Sequence, residues 1–95
     1  MPKLKFTEEA RDALVSLRDR DPKKAKRVEN CLAKIEANPR HPGLQTHKYE
    51  QMKGQNGENI FQSYVENRTP AAWRVFWHKG VDKDQIIIFA ITPHP

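Results

Sequence analysis

The chain has 95 residues, a formal net charge of +5 and a pI of about 9.6, which together predict one small basic domain over residues 1–95. No apolar run approaches the roughly 20 residues of a membrane helix, and no signal-peptide pattern opens the chain, so we expect a cytoplasmic protein. The single cysteine, Cys31, excludes an internal disulfide. The positive charge favours a polyanionic partner such as nucleic acid or an acidic protein segment, although a merely soluble basic protein has the same composition.

The first predicted elements are a short strand and a helix. Residues 4–6 alternate in polarity and predict a strand. Thr7 is a helix N-cap, and two glutamates follow it where the helix dipole favours negative charge. Apolar residues then recur at helical spacing and predict an amphipathic helix over residues 8–19. Its apolar stripe is Ala10, Leu14 and Leu17.

A second helix follows after a very short link. Asp21 is a capping carboxylate, and Pro22 stands at the first helical position, where its missing N–H costs nothing. The helix is predicted to end at Asn38, because the residue before Pro39 resists helical backbone angles. The basic residues of this helix form either a face exposed to solvent or a face that contacts phosphate. The short link predicts an antiparallel helical hairpin.

The remaining chain is predicted to form a loop and three strands. Residues 39–58 are polar and rich in Pro and Gly, which is typical of a long loop. Strands are predicted at residues 60–66, 72–78 and 85–92, joined by short turns into an antiparallel meander whose last strand is interior. The order β-α-α-β-β-β predicts an α+β fold, with the helical hairpin packed on one face of a small, mainly antiparallel, twisted sheet.

Alternate residues of the strand over 72–78 face opposite sides of the sheet. The side under the helices is expected to take the more apolar set, Trp73, Val75 and Trp77. The open side takes Arg74, Phe76 and His78. Arg74 carries a planar, permanently charged guanidinium that suits phosphate. The alternative is a structural arginine paired with a carboxylate such as that of Glu66.

Two further stretches carry candidate chemistry. His94 follows the last strand and could act as an acid or base near neutral pH; the alternative is a frayed terminal residue. The segment over residues 46–50 offers hydrogen-bond donors for phosphate, an aromatic ring and a possible base; the alternative is an ordinary polar connection. The four histidines lack close metal-ligand spacing, and no nucleophile-elbow motif is present. These absences disfavour a metal site and a serine hydrolase.

The order of several stretches resembles the RelE/ParE toxin superfamily of bacterial type II toxin–antitoxin systems, in its RelE/YoeB-like branch. The resemblance covers nearly the whole chain, including the helical hairpin. Its sequence elements are Leu4-Lys5-Phe6-Thr7-Glu8-Glu9-Ala10, Gly43-Leu44, Trp73-Arg74-Val75-Phe76-Trp77 and Ile86-Ile87-Ile88-Phe89-Ala90-Ile91.

The resemblance implies a toxin-like endoribonuclease that cleaves mRNA on the ribosome without a metal or other cofactor, and that a cognate antitoxin neutralises. In such members the RNA 2′-hydroxyl attacks the adjacent phosphate. ParE-like members share the fold and inhibit DNA gyrase without ribonuclease chemistry, so a gyrase inhibitor is the alternative. An inactive nucleic-acid- or protein-binding relative is a third reading.

The resemblance also implies roles for single residues. Arg74 matches the family's strand arginine and would stabilise the phosphorane, and His94 resembles the C-terminal histidine of YoeB-like members and would be the general acid. Pro95 stands where those members have tyrosine. The general base is left between His47 and Glu50. The residues expected to contact RNA are Lys48, Lys53, Tyr64 and His78.

Overall fold

The computed structural model describes residues 2–66, 72–82 and 84–93. Within them the chain forms five strands, two helices and one 3₁₀ turn. In chain order these are β1 (Lys3–Phe6), α1 (Glu8–Arg20), α2 (Pro22–Ala37), the 3₁₀ turn Pro42–Leu44, β2 (His47–Lys53), β3 (Asn59–Tyr64), β4 (Trp73–Lys79) and β5 (Gln85–Pro93).

Both helices begin at the caps that the sequence predicts. The Thr7 hydroxyl accepts a hydrogen bond from the Ala10 N–H at 3.1 Å and donates to the Phe89 carbonyl at 3.0 Å, so the same side chain also ties α1 to β5. The Asp21 carboxylate accepts from the Lys24 N–H at 3.1 Å. Each cap satisfies a backbone donor that the helix leaves without a partner, worth about 1 kcal/mol.

The prediction of one long loop over residues 39–58 is wrong for its centre, because β2 occupies His47–Lys53. Among the described strands β2 lies at the edge of the sheet and pairs only with β3, and most of its side chains are exposed, so it needs no apolar alternation. Its register with β3 shifts between Tyr49 and Lys53, which further weakens the period of two.

The strands form one sheet in the order β1-β5-β4-β3-β2. β1 pairs with β5 in parallel, and the other neighbours are antiparallel. β5 is interior, as its apolar composition predicts. The predicted fold class is confirmed: an α+β fold with the helical hairpin on one face, and one strand more than the sequence indicates.

The core lies between the helices and one face of this sheet. Val75 and Trp77 of β4 lie on that face, as predicted, and Trp77 Nε1 donates to the buried Ser63 Oγ at 2.8 Å. Cys31 is buried in the same core, and burial raises the pKa of its thiol to about 12. It is therefore a packing residue and not an activated nucleophile. Neither described helix is long and apolar enough to cross a membrane.

Candidate functional site

The sheet face that the helices leave uncovered carries the candidate site. Directly paired residues share a face of a sheet, and the pairs His47–Gln62, Gln62–Phe76 and Tyr64–Arg74 therefore place three strands' side chains together. We call this surface the Arg74 face. It consists of His47, Tyr49, Ile60, Gln62, Tyr64, Arg74, Phe76 and His78.

Arg74 occupies this face as the strand alternation predicts, but it is more deeply buried than an open face suggests. Only 7% of the residue is exposed. Its Cζ lies 3.6 Å from the centroid of the Tyr64 ring, so the guanidinium stacks on that ring. Tyr49 packs edge-on against Phe76, with ring centroids 5.1 Å apart. Tyr64 of β3 and Tyr49 of β2 thus pack against side chains of β4 on this face.

The polar contacts of Arg74 are unusual for a buried charge. Its Nη1 donates to the backbone carbonyls of Glu66 at 2.9 Å and Trp73 at 3.2 Å. Among the residues that the structure describes, its Nε is buried without a hydrogen-bond partner, and so is Oε1 of Gln62 on the same face. No carboxylate of residues 2–66, 72–82 or 84–93 forms an ion pair with Arg74. A guanidinium in this state retains its capacity to stabilise an anion.

The alternative that Arg74 pairs with the carboxylate of Glu66 is wrong, because that carboxylate binds α2. Lys24 Nζ lies 2.6 Å and Arg27 Nη1 lies 3.0 Å from Glu66 Oε2. Burial raises the pKa of Glu66, but hydrogen bonds from Lys24, the Trp73 N–H and Arg27, together with the charge of Lys24, outweigh it and lower the pKa below its ordinary value of 4.5. Glu66 is therefore ionised at neutral pH.

His47 opens β2 and lies at the rim of the Arg74 face. Its ring is 5.7 Å from the Tyr64 ring, in an edge arrangement, and the side chain is exposed. Nδ1 lies 3.0 Å from the Gln45 carbonyl. Because a carbonyl oxygen only accepts, Nδ1 carries the proton in the neutral ring, and Nε2 is left as the basic nitrogen. The backbone of Gln45, which carries this carbonyl, is left-handed, with a φ of 48°.

The fold brings together three of the predicted site residues directly. Arg74 and His47 both contact Tyr64, so the cation, the ring and a candidate base form one group. His78 lies on the same face but further along β4, where it is buried, and its Nδ1 is 2.9 Å from the Lys79 carbonyl.

The other predicted residues lie apart from this group or outside the described chain. Lys48 pairs with Phe61 and so faces the opposite side, where it lines a cleft of about 690 Å³. Lys53 donates to Asn59 at 2.8 Å at the far end of β2. Glu50 is exposed, next to the register shift in β2. His94 lies outside the described residues.

The described part of β5 nevertheless ends beside the arginine. Thr92 pairs with Arg74, and Pro93 pairs with Trp73. Sequence reasoning missed Gln62, although the alternation of β3 places it on the same face as Tyr64. It also missed the link from Glu66 to α2, because a contact 42 positions apart in the chain leaves no local signal.

Solved structures with the same architecture include the following three. A YoeB/ParE toxin from Agrobacterium tumefaciens superposes with a TM-score of 0.73 at 11% identity, over 98% of this chain and 99% of that chain. A heterotetrameric YoeB–YefM toxin–antitoxin complex from Staphylococcus aureus gives 0.68 at 17%, over 100% and 99%. A RelE–RelB complex from the archaeon Pyrococcus horikoshii gives 0.65 at 16%, over 97% and 93%.

The chain has the fold of the RelE and YoeB toxins. No protein-family model matches it, and no curated protein sequence matches it. The RelE/YoeB fold was expected from the order of the sequence elements, and it is confirmed by superpositions that cover 97–100% of the chain. In this fold the group of Arg74, Tyr64 and His47 lies on the sheet face opposite the helical hairpin.

Proposed function

We propose that the protein is a toxin-type endoribonuclease that cleaves mRNA on the ribosome by attack of the 2′-hydroxyl on the adjacent phosphate. The observation that supports this most is the Arg74 guanidinium, held on Tyr64 beside an exposed histidine and without a carboxylate partner among the described residues. Such a cation is suited to the charge that develops on a phosphorane.

The proposed reaction assigns one task to each group. His47 Nε2 takes the proton from the 2′-hydroxyl, and the 2′-oxygen forms a bond to phosphorus. Arg74 stabilises the added negative charge. The bond from phosphorus to the 5′-oxygen then breaks, leaving a cyclic phosphate, and the departing oxygen takes a proton from the general acid. We assign that role to His94, which follows the strand end beside Arg74.

His47 is preferred to Glu50 as the base because of its position. His47 contacts Tyr64, which in turn carries Arg74, whereas Glu50 lies where the β2 register is already broken. The guanidinium occupies one face of the Tyr64 ring, so the proposed task of Tyr64 is to hold Arg74. An RNA base could stack only on the other face of this ring. Lys48, Lys53 and His78 are proposed for RNA contacts outside this group.

The proposed partners are the ribosome with its mRNA, and an antitoxin. The net charge of +5 suits a surface made of phosphates. Two of the structurally similar toxins were solved with their antitoxins, YefM and RelB. We propose that this chain is held inactive by a partner protein of the same kind, which covers its positively charged side chains.

The test is induction of the protein in a bacterial host, followed by primer extension on cellular mRNA. Wild-type protein should arrest growth and leave discrete cleavage sites in translated messages. Arg74→Ala and His47→Ala should abolish cleavage, and His94→Ala should weaken it strongly. Arg18→Ala is the matched control, because Arg18 is an exposed arginine paired with Glu29 on the helical hairpin. Full cleavage by both Arg74→Ala and His47→Ala would refute the proposal.

A non-catalytic function is the second candidate, and the burial of Arg74 favours it. A guanidinium that is 7% exposed offers little surface to an incoming phosphate. A ParE-like inhibitor of DNA gyrase, or an inactive binding module, needs no such contact. Growth arrest with altered DNA supercoiling and intact mRNA would support the gyrase inhibitor, and binding without any arrest would support the module.

A further inference from the structure

We propose that Glu66 is a positioning residue for Arg74. Its carboxylate binds the segment that follows β3 to α2, and its backbone carbonyl then holds the guanidinium. The functional half of this inference rests on the proposed ribonuclease activity. The geometric half concerns only the orientation of Arg74, and it can be measured without any substrate.

The carboxylate of Glu66 is saturated with donors from two elements. Oε1 accepts from Lys24 Nζ at 2.7 Å and from the Trp73 N–H at 3.2 Å. Oε2 accepts from Lys24 Nζ at 2.6 Å and from Arg27 Nη1 at 3.0 Å. The Glu66 side chain is 8% exposed and that of Lys24 is 22% exposed, so solvent screens this pair little. Arg27 is 62% exposed and contributes less.

The backbone of the same residue is part of the contact with Arg74. The Glu66 carbonyl accepts from Arg74 Nη1 at 2.9 Å, and the Trp73 carbonyl accepts from the same nitrogen at 3.2 Å. Just past the β3–β4 pairing, the Trp73 carbonyl also accepts from the Val65 N–H at 3.1 Å and from the Glu66 N–H at 3.3 Å, so three donors share it. The carboxylate reinforces this end of the pairing, because it also binds the Trp73 N–H.

The orientation of Arg74 depends on few contacts, so the loss of one has a large effect. Within the described residues the guanidinium has two carbonyls at Nη1 and the Tyr64 ring, while its Nε is buried without a partner. If the Glu66 segment detaches from α2, one of the two carbonyls is lost. The guanidinium can then rotate on the ring, away from the direction that the proposed phosphate contact requires.

A second ion pair on the helical hairpin provides a matched control. Arg18 Nη2 lies 2.8 Å from Glu29 Oε2, which is a distance similar to that in the Glu66 pairs. Both side chains are half exposed, at 54% and 40%, and the pair joins α1 to α2 without touching the Arg74 face. Glu29→Gln therefore removes the same charge from another ion pair that involves α2, without the proposed positioning effect.

The geometric test is NMR of the substrate-free protein, in wild type, Glu66→Gln and Glu29→Gln. The aromatic ring 3.6 Å from Arg74 Cζ shifts the side-chain resonances of Arg74 away from ordinary arginine values. We expect Glu66→Gln to move these resonances toward ordinary values, and Glu29→Gln to leave them unchanged. Unchanged Arg74 resonances in folded Glu66→Gln would overturn the inference. If Glu66→Gln does not fold, Lys24→Met decides by the same criterion, because it leaves the Arg27 and Trp73 bonds to Glu66.

The functional test uses purified protein, programmed ribosomes and cleaved mRNA as readout. We expect Glu66→Gln to lower kcat by up to about 100-fold with little change in KM, since misplacement of a catalytic group acts on the reaction and not on binding. Lys24→Arg, which keeps a cation opposite Glu66, should retain activity. Wild-type kcat in Glu66→Gln would refute positioning. If the wild type does not cleave RNA, the proposed function fails, while the NMR result still decides the geometric half.

Discussion

Replacement of Arg74 by methionine separates a structural arginine from a functional one. Methionine has a similar length, fills the space beside Tyr64 and carries no charge. We expect Arg74→Met to abolish mRNA cleavage while the free energy of unfolding stays the same or rises by up to about 2 kcal/mol. A functional group that adds nothing to the stability of the fold behaves in this way.

The magnitude follows from the contacts of the guanidinium. Two hydrogen bonds from a charged donor contribute about 1.5–3 kcal/mol each, and the stack on Tyr64 contributes about 2 kcal/mol. Burial of the charge costs several kcal/mol, and the buried Nε, which has no partner in the described part of the chain, costs about 1–3 kcal/mol more. The gains and the costs are therefore similar, and removal of both leaves stability nearly unchanged.

The assay is urea unfolding monitored by tryptophan fluorescence, because Trp73 and Trp77 lie on either side of the arginine in β4. Ile88→Ala is the control for sensitivity: Ile88 is fully buried in the core, and its truncation should cost about 2–5 kcal/mol. A loss of more than about 3 kcal/mol in Arg74→Met would refute the reasoning, since only net stabilisation by the native arginine could produce it.

Three further predictions concern the residues around the site and the core. The free energy of unfolding should fall as the pH drops through the pKa of Glu66 in the folded protein, which lies below the ordinary value of 4.5. The stabilisation by the ionised Glu66 carboxylate is complete only above the pKa of Glu66 in the unfolded chain. Urea titrations from pH 6 to pH 3, on the order of one unit apart, should show a shallower fall for Glu66→Gln. Trp77→Phe should lower the free energy of unfolding by about 1–3 kcal/mol, because the Trp77–Ser63 hydrogen bond is lost and the smaller ring fills less of the core, while Ser63 Oγ keeps Thr46 Oγ1 as a partner; unaltered urea midpoints would contradict this. Cys31 should resist a thiol reagent at about pH 8 in native protein and react at once in denaturant, because the buried thiol has a pKa of about 12; rapid labelling of the native protein would show that the core opens there.

Local signals account for the elements that the sequence predicts correctly. The helices are bounded by a capping threonine, a capping aspartate and a proline at the first helical position, each acting within one turn of the residue that carries it. The two faces of β4 follow from alternation alone, because the side-chain period of a strand is two. The sequence therefore determined the hairpin, the meander and the side of the sheet on which Arg74 lies.

Only the tertiary structure decided how these elements meet. β2 is recognisable as a strand only through its pairing with β3, because an exposed edge strand needs no apolar face. That pairing brings His47 to Tyr64, and the β3–β4 pairing brings Tyr64 under Arg74. The packing of α2 likewise assigns the Glu66 carboxylate to Lys24 and leaves its carbonyl to Arg74. Such contacts join positions far apart in the chain, so their energies depend on distances that exist only once the sheet and helices are assembled.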